Sequence, residues 1–445
     1  MFHVIIISMK FISTRNEENS VNFEKAVLDC LPSDGGLYVP EDSDDLRKWI
    51  LYTNEKTTFS SISGALTSAF INEEFSPIIC ESIATNAFTF EPRLNKIDEK
   101  LFTLELFHTP TGSHKDFGIS YLINSLEAIL TLKETDAIFL DATLGELGAS
   151  VAKTIRGKKR MKAVLLYPTK PCRMIRGLEE EDFIWNGGNV LPVEIDGTEA
   201  DCHQIVREIF ADRKLVEKFH LTMANTTNIG RLIPQSFFYP FAFSRLKNQI
   251  CGDIFYAMAP GNYSNLVAGL YSWKLALPVN GFICPTTTEL QVDPQGNCEI
   301  MDSIVDVHDR KPCDPASPSN LERLEYVFNA NSLMLKHFIY PSEVSERETT
   351  EACQELFMKY KIFADKPTSQ AYAAAKKRAE MTEEDEAAVV LVMRDHPAMS
   401  IDFIRHTIGE APEMPESVRN AFKPTSLNRP TAKTPAEIVE MLQTI

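Results

Sequence analysis

Seven short apolar runs between residues 101 and 395 set the pattern of this chain: "LFTLELF", "DAIFLDAT", "KAVLLYP", "NVLPVEID", "DIFYAMAP", "NGFICP" and "AAVVLVMRD". They are nearly continuous in apolar character and alternate with segments of helical period, which predicts an α/β fold with buried parallel strands. The helices between them start directly on strand-to-turn junctions. "KDFGISYLINSLEAILTLK" has apolar residues at 117, 121, 122, 126, 129 and 130, a stripe that begins beside Asp116, whose charge suits a helix N-terminus. "ELGASVAKTI" and "NLVAGLYSWKLAL" follow glycine-containing turns in the same way. Before residue 98 the texture is mainly helical. There "SVNFEKAVLDCL" sets a serine ahead of a helical pattern, with Glu24 three residues after Val21, as at a capped helix start, and "SDGGLYVPED" reads as a turn leading into a short strand. The expected organisation is a small helical domain over 1–98 and an α/β core over 99–445, with a loop-rich insertion near 286–345 around "DRKPCDPASPSN".

Composition narrows this picture. A chain of 445 residues, 44% hydrophobic and 24% charged, is that of an ordinary globular protein of two or three domains. Its net charge of -17 argues against a general nucleic-acid or anionic-membrane surface, although a local positive pocket is compatible with it. Nine scattered cysteines, odd in number and without a C-x-x-C pair, signal neither a disulfide framework nor a metal site, and favour a reducing cytoplasm. The N-terminal run "VIIIS" is shorter than the roughly 20 residues of a membrane span or the roughly 7 to 15 of a signal-peptide apolar core, so no export is expected. Met9 offers a second start, which makes the first eight residues either an upstream extension or an extra strand.

Ligands of doubly wound α/β folds sit at the carboxyl ends of strands. Four loops occupy such places: "HTPTGSHKD", "DATLGELGAS", "APGNYSNL" and "RDHPA". "APGNYSN" leads from a strand into a helix, so its N–H groups could hold a phosphate, yet it is neither a Walker A nor a G-x-G-x-x-G motif, and a plain turn is the competing reading. Lys115 stands at a helix start, where it faces the positive end of the dipole. Either it is a solvated surface charge or it is an amine, desolvated and able to form a Schiff base with a carbonyl. A carbonyl cofactor carrying a phosphate would need both the lysine and an anion cradle; pyridoxal phosphate is such a cofactor.

"LELFHTPTGSHKDFG" resembles the cofactor-lysine segment of threonine synthases, L-E-L-F-H-G-P-T followed by three small or apolar residues and K-D-F-G. "LYVPED", "LLYP", "DATLGELGASVA" against A-T-S-G-D-T-G-A-A-V-A, "ANTTNIGRLIPQ" against A-N-S-I-N-x-x-R-L-x-x-Q, "PGNYSNLVAG" against S-G-N-F-G-N-L-T-A-G and "RDHPA" against T-A-H-P-A extend the similarity in the same order along the chain. The resemblance implies a fold-type II, tryptophan synthase β-like pyridoxal-phosphate enzyme with two parallel-sheet lobes. It implies conversion of O-phospho-L-homoserine and water to L-threonine and phosphate in amino-acid biosynthesis, with a small phosphorylated amino acid as partner and no metal. Lys115 would then carry the cofactor and shuttle protons, and Gly261, Asn262, Tyr263, Ser264 and Asn265 would cradle its phosphate. Arg394 would stand by the pyridine nitrogen, and Thr143, Glu146, Asn225, Asn228 and Arg231 would line the substrate pocket, Arg231 through its two-pronged fork.

The chain departs from that pattern near the chemistry. Leu144 and Leu147 stand for a serine and a threonine, Glu146 for an aspartate, Pro260 for a serine, Ser264 for a glycine, Thr109 for a glycine and Arg394 for a threonine. Arg394 has a second reading, an outward ion pair with Asp395 or another acidic residue. His114 is foreign to the pattern and either tunes Lys115 or is exposed, while His396 matches it and is either catalytic or a hydrogen-bonded strand-end residue. Two functions therefore stay open: an active pyridoxal-phosphate lyase, either threonine synthase itself or a relative with altered substrate, and a degenerate homologue that keeps the fold, with or without the cofactor, for a binding or regulatory role.

Overall fold

A computed structural model of the chain describes residues 10–71, 74–169, 175–301, 305–328, 332–381, 387–421, 423–425, 427 and 431–445. The "VIIIS" run and the alternative start at Met9 lie outside them. In the N-terminal unit, β1 (Phe11–Ser13) and β2 (Tyr38–Pro40) pair antiparallel, and α1 (Phe23–Asp29) lies between them in sequence. The cap of α1 is Asn22 and not the serine before it. Val21 is drawn into a bridge with Phe11, so the helix starts later and Asn22 accepts from the Lys25 N–H at 3.0 Å.

The core strands are β3 (Arg93–Lys96), β4 (Leu101–Glu105), β5 (Ala137–Ala142), β6 (Met161–Pro168), β7 (Val190–Ile195), β8 (Leu221–Thr222), β9 (Ile254–Ala257), β10 (Gly281–Pro285), β11 (Ile339–Ser342) and β12 (Ala388–Met393). They form a six-stranded sheet in the order β11-β10-β9-β12-β4-β3 and a four-stranded sheet in the order β7-β6-β5-β8. Every pairing is parallel except that of β3 with β4. The seven apolar runs supply β4, β5, β6, β7, β9, β10 and β12. β3 is a polar, largely exposed edge strand, "RLNK", which no apolar run announces; through it the sheet reaches back across the boundary placed at residue 98. The insertion is also less loop-like than expected, since it holds an antiparallel pair (Leu290–Val292 with Cys298–Ile300), a helix at Leu321–Phe328 and β11.

Two helices position the site. α2 (Lys115–Lys133) is buried without interruption from Asp116 to Leu126. Its Phe117 meets Phe59, Phe90 and Phe238 edge-on at ring-centroid distances of 5.3, 4.9 and 5.0 Å, pairs that each add about 0.5–1.5 kcal/mol beyond the area they bury. The N-terminal unit thus clamps the helix that carries Lys115. α3 (Glu146–Ile155) follows β5 in the smaller sheet and packs against α2.

Candidate active site

The four loops singled out from the sequence meet at one rim. The loop after β4 is tied to the loop after β12 by backbone hydrogen bonds, His114 N–H to Arg394 O and His396 N–H to Gly112 O, both 2.8 Å. Gly112 has φ +73°, and a Cβ there would meet Val418 at 2.7 Å, so this crossing requires glycine. Asp116, only 4% exposed, accepts from Thr111 N–H at 2.7 Å, Thr111 Oγ1 at 2.8 Å and Ser150 Oγ of α3 at 2.5 Å. That network fixes the joint at which Lys115 begins α2. The lysine side chain is about a third exposed, and its Nζ meets the Glu146 carboxylate in the first turn of α3. Lys115 therefore sits where the two sheets come together.

The loop after β9 is a tight turn, closed by Tyr263 N–H donating to Pro260 O at 2.7 Å, with Gly261 at φ +54° and Tyr263 at φ +65°. The Tyr263 hydroxyl is anchored on Thr287 at 2.6 Å and Glu289 at 2.8 Å. Asn262 donates to Thr226 Oγ1 at 2.9 Å and accepts from Ser264 N–H at 3.3 Å, while the Asn265 amide bonds Gln235. Then α5 (Ser264–Lys274) begins. The backbone N–H groups of Gly261, Asn262, Asn265 and Leu266 find no protein partner among the described residues. Open amides at a helix N-terminus suit an anion.

The substrate-side residues divide. Arg231, in α4 (Ile229–Leu232), is 3% exposed, and its Nε and Nη1 are buried without a hydrogen bond. Burial lowers its pKa to about 10 against the opposing charges of Asp116 and Asp141. A Cβ at Gly118 would lie 2.0 Å from Nη1, so this glycine makes the space for the guanidinium. Asn225 donates to Pro315 O at 2.8 Å and leans on Asp141 at 3.4 Å. Asn228 is placed differently from expectation: fully buried, it caps α4 by accepting from Gly230 N–H at 3.0 Å and donates to Val27 O, Thr222 Oγ1 and Met223 O. The Thr143 hydroxyl likewise accepts from Gly145 and Gly148 N–H at 3.0 and 3.1 Å. Short polar side chains at strand-to-helix joints are recruited by orphan backbone groups, which is why these two serve the scaffold. Leu144 is 47% exposed, whereas Leu147 packs partly on the core.

Three further features lie outside the sequence expectations. Arg323 of α6 (Leu321–Phe328), fully buried, donates to Tyr38 O, Thr226 O, Thr227 O and Asn320 Oδ1, stapling the N-terminal unit to the turn before Asn228. Asp141, the buried carboxylate near the end of the apolar run "DAIFLDAT", accepts from Ala224 N–H at 2.8 Å; burial pushes its pKa up to about 7, against that hydrogen bond and the Arg231 charge. Asp395 is shared by Ser113 Oγ at 2.5 Å and His114 Nδ1 at 3.3 Å. Burial would raise the Asp395 pKa, but the His114 hydrogen bond and the charges of His114, Lys115 and Arg394 hold it well below the carboxylate range. His114 is thus buried and engaged, and Asp395 makes no ion pair with Arg394 among the described residues. His396 accepts from Ala398 N–H at 3.1 Å and packs on Phe107, the arrangement of a strand-end cap.

A half-buried lysine at the joint of two mainly parallel sheets, beside a turn of open amides at a helix N-terminus, defines a fold-type II pyridoxal-phosphate enzyme. The family model described as pyridoxal-phosphate dependent enzyme matches residues 88–395, and that of the threonine synthase N terminus matches residues 10–88. The chain belongs to the threonine synthase family of pyridoxal-phosphate-dependent lyases. It is 32% identical to threonine synthase of Buchnera aphidicola (subsp. Acyrthosiphon pisum) over 78% of this chain and 81% of that one. It is 29% identical to the Escherichia coli threonine synthase over 92% and 94%. The crystal structure of the Escherichia coli enzyme superposes with TM-score 0.76 at 26% identity, covering 98% of this chain and all of that one. A Brucella melitensis threonine synthase structure with bound PLP shares the fold, with TM-score 0.78 at 21% identity over 98% and 99% of the two chains.

Proposed function

We propose that this chain converts O-phospho-L-homoserine and water to L-threonine and phosphate, with pyridoxal phosphate held on Lys115. The placement of the Lys115 amine carries the reading: at a helix start that disfavours a surface cation, on the seam of the two sheets, with Glu146 across from it. The residues present fit the cofactor, since the open amides from Gly261 to Leu266 suit its phosphate and the amine suits its carbonyl. When bound, the cofactor supplies an electron sink that allows protons to leave the α and β carbons, phosphate to leave the γ carbon and water to add at the β carbon.

This chain's residues do the rest. Lys115 Nζ takes and returns protons at the α and β carbons, and the Glu146 carboxylate keeps the amine at the mouth of the site. Asp116 acts through position, since its bonds to Thr111 and Ser150 set where α2 begins. Arg231, buried with two N–H groups unpaired, offers a fixed fork to the substrate phosphate. Asn225, braced by Pro315 and Asp141, opens the turn that leads into α4, its carbonyl accepting from Asn228 N–H at 3.2 Å. At the position of Leu144 the substrate carboxylate finds no donor, so weak substrate binding and slow turnover are expected. No helix among the described residues is long and apolar enough to cross a membrane, and free cysteines accord with a cytoplasmic setting.

The exposed leucine at 144 also supports a second reading, a chain that keeps the fold and cofactor without turnover. Borohydride reduction with peptide mapping, paired with phosphate release from O-phospho-L-homoserine, tests both. A pyridoxyl label on Lys115 with phosphate release supports the lyase, the label without release leaves the second reading, and no label on Lys115 removes both.

A further inference from the structure

We propose that Arg394 is a cofactor-phosphate residue of this chain, its guanidinium replacing the donors that Pro260 removes from the cradle instead of meeting the ring nitrogen. The inference rests on the cofactor reading above. Arg394 leaves the end of β12 with its backbone carbonyl pinned by His114 N–H at 2.8 Å. Its Nη1 lies 2.7 Å from where a Cβ on Gly261 would stand, and its Cζ and Nη2 lie at 3.7 Å. The guanidinium is therefore laid against the turn whose amides are open. Gly261 is required twice over, by its φ of +54° and by the arginine on its face.

No hydrogen bond or ion pair holds that guanidinium among the described residues. Asp395, the nearest acid in sequence, is occupied by Ser113 and His114. A half-buried arginine beside open amides is left short of an anion. The loop itself is short of donors, because a proline at 260 brings neither a hydroxyl nor an N–H. Charge and geometry match at this point: a phosphate presents several oxygens to the planar fork, whereas a ring nitrogen presents one lone pair. Two departures from the family pattern, Pro260 and Arg394, then become one compensated change.

The test separates the phosphate from the ring. The full-length chain, freed of cofactor, is titrated with pyridoxal phosphate and with pyridoxal, which has the same ring and carbonyl but no phosphate; occupancy is read as borohydride-fixed label on Lys115. Arg394→Thr is expected to weaken pyridoxal phosphate by about ten- to hundredfold and leave pyridoxal unchanged, the loss typical of a charged hydrogen-bond partner. Inorganic phosphate should compete with pyridoxal phosphate in the native chain. Equal weakening of both compounds, or no weakening of either, overturns the proposal. Absence of label from the native chain with both compounds is a different failure, that of the cofactor reading. If Arg394→Thr does not fold, Arg394→Gln, uncharged and of similar reach, carries the same comparison.

Discussion

The two sheets contribute to the site by different means. In the larger one, the loops after β4 and β12 are joined by backbone hydrogen bonds, and Arg394 lies on the turn after β9. The smaller sheet reaches them through side chains, Glu146 to Lys115 and Ser150 to Asp116. Backbone ladders hold their geometry whatever the side chains are; side-chain bridges change when one residue changes. The departures from the family pattern follow this division in part. The Lys115-Asp116 pair is kept on the larger sheet, and the loop of the smaller sheet has exchanged hydroxyls for Leu144 and Leu147. Thr109, Pro260, Ser264 and Arg394 depart on the larger sheet, but there Arg394 lies against the loop of Pro260. The loss at Pro260 has a compensating partner at the cofactor end, whereas the substrate end is altered without one.

The largest effect is expected at the joint where the two sheets meet. Lys115→Ala should abolish the borohydride-fixed label and lower phosphate release by at least about 10²–10⁴-fold, with the melting temperature of the cofactor-free chain little changed. Retained release would mean that another residue handles the protons. Next comes Asp116→Ala, which removes a buried carboxylate from three donors and from the neighbourhood of Arg231; a loss of about 3–5 kcal/mol in urea unfolding is expected. By contrast Glu146→Gln, in a pair a third or more exposed, should change stability by at most about 1 kcal/mol. If the two variants lose similar stability, the distinction between a fixed and an adjustable side of the joint fails.

A pH experiment bears on the smaller sheet. Asp141, raised to about 7 by burial, holds a proton in the folded chain that an ordinary carboxyl has released by about pH 4. Its contribution to stability is complete below about pH 4 and is lost as pH rises to about 7. Asp141→Asn should remove that part of the decline while keeping an acceptor for Ala224, so unfolding free energies at pH 5 and pH 8 should draw closer together. An unaltered gap would show that Asp141 titrates normally. The smallest effect is expected from Leu144→Ser: stability within about 0.5 kcal/mol, because the side chain is half exposed, but tighter O-phospho-L-homoserine binding by competition assay. Unchanged binding would place the carboxylate elsewhere.

Much of the fold is legible along the chain. Buried parallel strands must be continuous apolar runs, so seven of them can be read directly, and the helix at "KDFGISYLINSLEAILTLK" begins and ends where its period and Asp116 predict. Lys115 stands out because a lysine at a helix start has an unfavourable dipole and needs a reason. β3 is silent because an edge strand buries little, and β8 because two residues carry no period. The roles of Asn228 and Thr143 are hidden for a related reason: a short polar side chain at a strand-to-helix joint reads the same whether it turns to a ligand or to the backbone, and only the packed turn shows the amides they cap. Arg323 and Asp141 act on partners far away in sequence, at carbonyls and amides that no local pattern names. Periodicity and residue type are local properties, and they were enough to set the strands, the helix that bears the lysine and the type of chemistry. Three placements needed the folded chain: Arg394 on Gly261, Asp395 with His114, and Arg231 buried unpaired, because each depends on where loops from different strands converge.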